Sequence, residues 1–79
     1  MDRQRVEHTV RTVLTVVLKE PLNSADVTRQ NTASWDSLKH IEIMFALEDE
    51  LETQFLEEEL AALDSVKKIV DAVLSKHAA

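Results

Sequence analysis

The chain has 79 residues, a formal net charge of −6, no cysteine, no glycine and a single proline. That length holds one small domain, residues 1–79, with no room for a second core. Without cysteine there is neither a disulfide nor a thiolate zinc site, so apolar packing has to carry the fold.

The absence of glycine disfavours tight hairpins and favours helix. No apolar run approaches the roughly 20 residues that cross a bilayer. No basic start leads into an apolar secretory core either, so a soluble cytoplasmic chain without membrane insertion is expected. The charge is unevenly placed. From Met1 to Ile41 six basic side chains nearly balance five acidic ones, whereas Glu42 to Asp64 carries nine acids and no lysine or arginine. Such a field repels nucleic acid and anionic membrane; on charge alone it reads either as a solvated face that confers solubility or as a surface that steers basic protein partners.

In chain order, Val6, Val10, Val13, Leu14 and Val17 form one apolar stripe and predict a first helix. It should end at Lys19-Glu20, because Pro21 has no amide hydrogen and biases Glu20 away from helical backbone. Residues 21–35 are then a long connection, rich in Asn, Ser, Thr and Asp, with Leu22, Val27 and Trp35 as its anchors. Connections of that length in a small domain are often functional. A second helix starts at Ser37 with Asp36 as N-cap and runs to about Leu51. Thr53-Gln54-Phe55 reads as a short link. A brief third helix covers roughly 57–62. Asp64 is expected to cap a fourth, in which Val66, Ile69, Val70, Val73 and Leu74 repeat the helical stripe. The expected fold is all-α: a small bundle of three main helices plus one short helix, with a long loop between the first and second.

The second helix is unusual around its circumference. At about 100° per residue, Ile41, Met44, Leu47 and Leu51 group on one side, with Ile43 at the margin. Leu38, Glu42, Phe45, Asp49 and Glu52 fall on the other. A leucine and a phenylalanine two turns apart, interleaved with acids, read as a docking surface. Ser37 and His40 lie three apart, within reach as a nucleophile and base. The rotation nevertheless turns His40 toward the core, and no oxyanion donors accompany the pair. The three histidines are dispersed, so a metal site has no sequence support.

The run WDSLKHIEIMFALEDEL closely resembles the second helix of acyl carrier proteins: Asp-Ser-Leu followed by an acidic amphipathic helix. The resemblance extends over nearly the whole chain, through the first helix, the long loop, the short third helix and the fourth. It implies that Ser37, flanked by Asp36, carries a 4′-phosphopantetheine arm through a phosphodiester. A separate phosphopantetheinyl transferase adds the arm from coenzyme A, using magnesium. The arm's thiol then holds acyl groups as thioesters, so a cysteine-free chain presents a thiol without catalysing anything itself. A phosphodiester at a helix start meets the positive end of the dipole and free amides, which is compatible with this.

On that resemblance, Leu38, Lys39, Glu42, Phe45, Glu48 and Asp49 are expected to meet partners. These are enzymes that load, condense or modify the cargo and present basic docking surfaces to a monomeric carrier. Ile41, Met44, Leu47, Val66, Ile69 and Val70 are expected to part around an acyl chain. Some positions depart from the family pattern: Ser34 stands where glycine is common, Trp35 directly precedes Asp36, Lys39 replaces a usual acid, and Phe45 replaces a frequent methionine. These differences point away from the housekeeping fatty-acid carrier and toward a dedicated lipid, polyketide or related pathway. An aminoacyl or peptidyl carrier, including a D-alanyl carrier, shares the arm and stays open, as does an unmodified helical interaction module.

Overall fold

A computed structural model describes residues 2–22 and 27–77; residues 23–26 of the expected connection lie outside the described residues. The architecture is all-helical: α1 (Arg3–Leu18), α2 (Ser37–Leu51), a single-turn α3 (Glu57–Leu60) and α4 (Val66–His77). Both α2 and α4 pack on α1.

α1 forms although threonine and valine, which are mediocre helix formers, dominate its second half. Thr9, Thr12 and Thr15 turn their hydroxyls back onto the carbonyls of Arg5, His8 and Arg11 at 2.8–3.1 Å, satisfying themselves within the helix. The helix survives because Val6, Val10, Val13, Leu14 and Leu18 are buried against its neighbours. Each large aliphatic side chain so buried is worth roughly 1.5–3 kcal/mol. Leu18 completes the stripe, and Val17 is only partly buried.

Helix ends carry the mark of a chain without glycine. The C-caps of α1 and α2 adopt the left-handed conformation, and the residues there are Lys19 (φ 58°) and Glu52 (φ 49°). A side chain in that region costs roughly 1–2 kcal/mol that glycine would avoid. Their amides recover part of it by donating to Thr15 and Glu48 carbonyls.

The second helix has the expected bounds and the expected cap. The fourth differs at its start. Ser65, not Asp64, is the capping side chain: its Oγ accepts from the Lys68 amide at 3.1 Å. The Asp64 carboxylate is taken instead by Lys68 Nζ at 2.9 Å and Gln30 Nε2 at 3.2 Å. The third helix ends two residues early, at Leu60.

The long loop is pinned to the start of α4. The Val66 amide donates to the Val27 carbonyl at 3.0 Å and the Arg29 amide to the Asp64 carbonyl at 2.8 Å, flanking an isolated antiparallel bridge between Thr28 and Ser65. Val27 and Trp35 anchor the loop in the core as expected, while Leu22 packs at its edge.

Candidate functional site at the start of α2

Ser37 is exposed and is the first residue of α2. The turn that presents it is tight: the Trp35 amide donates to the Thr32 carbonyl and the Asp36 amide to the Ser34 carbonyl. Asp36 then leaves extended backbone to cap the helix, its Oδ1 accepting from the Lys39 amide at 2.8 Å. Ser37 therefore does no capping, and its hydroxyl is available for another role.

That hydroxyl has a partner that sequence reasoning missed. Arg29 Nη2 donates to Ser37 Oγ at 2.8 Å. The contact crosses the loop, and no local spacing announces it.

Beneath Ser37 lies a buried polar bridge. Trp35 Nε1 donates to His40 Nδ1 at 3.0 Å, with the rings stacked 6.0 Å apart. An indole N–H only donates, so Nδ1 must accept and the imidazole proton must be on Nε2. There it donates to the Leu60 carbonyl, tying α2 to the end of α3. Both His40 nitrogens are thus occupied, and neither is turned to Ser37. The Ser34 hydroxyl, in the position where the resembling family commonly has glycine, is buried without a hydrogen-bond partner among the described residues.

The two faces of α2 differ in one position from the sequence expectation. His40, Ile43, Met44, Leu47 and Leu51 are buried. Ile41, expected inside with the acyl-chain residues, is 51% exposed, and Ile43 takes the core position. The rotation follows from α2 being apolar on more than half its circumference, which lets α1 and the Trp35–His40 pair choose the buried flank. Met44, Leu47, Val66, Ile69 and Val70 do come together, in one packed core shared with α1.

The outward face presents Leu38 (68% exposed), Ile41 and Phe45 (63%), with Glu42 and Asp49 exposed among them. Lys39 is partly buried and its Nζ lies 3.7 Å from Glu42. Glu48 has a different position from the other docking candidates. It is partly buried, and its Oε2 accepts from the Phe55 amide at 2.9 Å, so its carboxylate closes the link between α2 and α3.

Two acids, one on α3 and one just before α4, have their charged form favoured. Glu59 is pulled below its ordinary value of 4.5 chiefly by Lys76, which donates at 2.6 Å, and also by the Leu56 amide. Asp64 is lowered below 3.8, first by Lys68 and then by Gln30. Among the described residues no group of three or more His, Asp or Glu side chains converges as a metal site, and no helix is long and apolar enough to cross a membrane. No protein-family model matches the chain.

Proposed function

We propose that this chain is a carrier: Ser37 bears a 4′-phosphopantetheine arm, and the arm's thiol holds acyl intermediates as thioesters for partner enzymes of lipid, polyketide or related biosynthesis in the cytoplasm. The observation that carries the reading is the Ser37 hydroxyl, exposed on the first turn of a long helix whose cap is supplied by a different residue. A serine already committed to capping could not be esterified without cost to the helix; this one can.

Loading is chemistry of a separate transferase using magnesium. Ser37 Oγ attacks the phosphorus of coenzyme A nearest the pantetheine, and an O–P bond forms as the pyrophosphate P–O bond breaks. Adenosine 3′,5′-bisphosphate leaves with the electron pair, and the serine proton passes to a base of the transferase. The chain performs no step itself: the adjacent Asp36 carboxylate caps the helix and His40, the nearest histidine, has both nitrogens engaged.

The outward stripe of Leu38, Ile41 and Phe45 with Glu42 and Asp49 suits enzymes that present arginines around an apolar contact. Charge governs encounter and apolar burial governs residence. Lys39, paired with Glu42, reduces the negative field there and would select for a dedicated partner set.

Incubation with coenzyme A, magnesium and a promiscuous phosphopantetheinyl transferase, followed by intact mass, tests the assignment. The wild type is expected to gain one phosphopantetheinyl group. Ser37→Ala is expected to gain none, at unchanged helical content because the Asp36 cap remains. A wild type that stays unmodified sinks the carrier reading and favours a plain interaction module. A Ser37→Ala variant that is still loaded moves the site elsewhere.

A further inference from the structure

The loop that precedes α2 delivers a guanidinium to the hydroxyl proposed for modification. Arg29 is held at its backbone by its amide bond to the Asp64 carbonyl at 2.8 Å. On one side Thr28 and Asn31 exchange hydrogen bonds, the Thr28 amide to Asn31 Oδ1 at 2.9 Å and the Asn31 amide to Thr28 Oγ1 at 3.2 Å. On the other, Gln30 is fastened to the Asp64 carboxylate. The Arg29 backbone is therefore fixed against the start of α4, and its side chain reaches Ser37 from a rigid base.

What Arg29 gains there at present is small. A guanidinium carries five N–H donors that match two oxygens of an anion at once, and a neutral hydroxyl accepts from one. Among the described residues no carboxylate pairs with it. Two carboxylates flanking it are occupied elsewhere: Asp36, beside Ser37, by the Lys39 amide, and Asp64, whose carbonyl takes the Arg29 amide, by Lys68 and Gln30.

Esterifying Ser37 Oγ changes this. Two non-bridging oxygens sharing one negative charge would then stand two bonds beyond the atom Arg29 already touches, on the phosphorus bonded to it. Charge-assisted contacts of this kind are roughly twice as strong as neutral ones. Asp36, next in the chain, opposes any added anion at this place, and Arg29 is positioned to offset it.

We propose that Arg29 is a positioning residue for the pantetheine arm: its guanidinium clasps the phosphodiester on Ser37 and sets the direction in which the arm leaves the protein. The inference rests on the carrier reading and adds to it a contact that the modified, not the unmodified, chain makes in full.

The test uses nitrogen-15-labelled full-length wild type, Arg29→Gln and Arg29→Lys, each converted enzymatically to the loaded form and verified by intact mass. Loading of the wild type is expected to shift the Arg29 side-chain Nε–H resonance and slow its exchange with water. The phosphorus-31 resonance of loaded Arg29→Gln is expected to differ from wild type, with Arg29→Lys between them, and high salt should move the wild-type signal toward that of Arg29→Gln. Core amide spectra of the variants should overlay wild type. An Arg29 side-chain signal that is the same before and after loading overturns the proposal, as do coincident phosphorus signals in wild type and Arg29→Gln. If Arg29→Gln resists loading, the wild-type comparison before and after loading decides alone. A wild type that accepts no arm brings down the carrier reading and this proposal together; a loaded wild type with an indifferent Arg29 removes Arg29 alone.

Discussion

α2 and α4 are both amphipathic helices packed on α1, yet they use their apolar residues differently. α4 buries Val66, Ile69, Val70 and Val73 and leaves no large apolar side chain exposed. α2 buries a comparable set and then exposes three more, Leu38, Ile41 and Phe45, out of five large apolar side chains exposed among the described residues. The core is closed without those three, so folding alone does not account for them. α4 is what this fold asks of a helix; α2 satisfies that and carries a second apolar surface beside Ser37.

The largest expected effect sharpens that contrast by truncating one residue from each face. Ile69→Ala, on α4, and Met44→Ala, on the inner face of α2, should each lose about 2–5 kcal/mol in denaturant titrations, from lost burial and a residual cavity. Ile41→Ala should stay within about 0.5 kcal/mol of wild type, as exposed positions do. A loss at Ile41 as large as at Met44 would mean that α2 is rotated from the orientation described.

Next in size is the bridge that only α2 possesses. His40→Leu leaves the Trp35 indole N–H and the Leu60 carbonyl without a partner. The buried indole N–H left unsatisfied costs about 1–3 kcal/mol, and the Leu60 carbonyl, only partly buried, less. Trp35→Phe removes the donor but leaves the Leu60 contact, and should cost less through polar terms. Because the groups share one network, the double variant should lose less than the sum of the singles. Strict additivity in urea midpoints would show that no such network operates.

How much of this was legible in the sequence depends on range. The bounds and cap of α2 were readable because Asp36 and the apolar period act locally. Asp64 and Ser65 are both competent caps standing side by side, and what separates them is Lys68 and Gln30 capturing the aspartate. Ile41 and Ile43 could not be ordered from a helical wheel, since they flank the Met44, Leu47 and Leu51 set on opposite sides at similar angles and the neighbours decide which flank is covered. The His40–Leu60 and Arg29–Ser37 contacts join separate segments, and periodicity contains nothing about them.

The outer face of α2 should respond in binding and not in folding. Phe45→Ala is expected to leave the denaturation midpoint unchanged. On the carrier reading proposed above, it should raise the dissociation rate from an enzyme that uses the loaded arm by the equivalent of about 1–2 kcal/mol, as an interface anchor does. Unchanged dissociation kinetics would return Leu38, Ile41 and Phe45 to the status of incidental surface residues.

The smallest effect lies where α4 meets α3. Glu59 accepts from Lys76 of α4 and from the Leu56 amide that opens α3, and both contacts favour its charged form. Its folded value lies below its unfolded one, so the unfolded chain takes up the proton first. The contribution is therefore complete above about pH 4.5, the ordinary value, and is lost as pH falls through the lowered one. Asp64 behaves in the same sense from 3.8 downward, through Lys68 and Gln30. Both pairs are solvent-accessible, so the global midpoint should hardly move, whereas a single turn with no buried residue of its own should open locally. Hydrogen exchange of the α3 amides from pH 7 to 3, corrected for intrinsic exchange, should show wild type losing protection below pH 4.5. Lys76→Met should be less protected already at neutral pH and show a weaker acid dependence. Matching profiles for the two proteins would show that the Lys76–Glu59 pair does not hold α3 to α4, and would leave the His40 contact at Leu60 as its attachment.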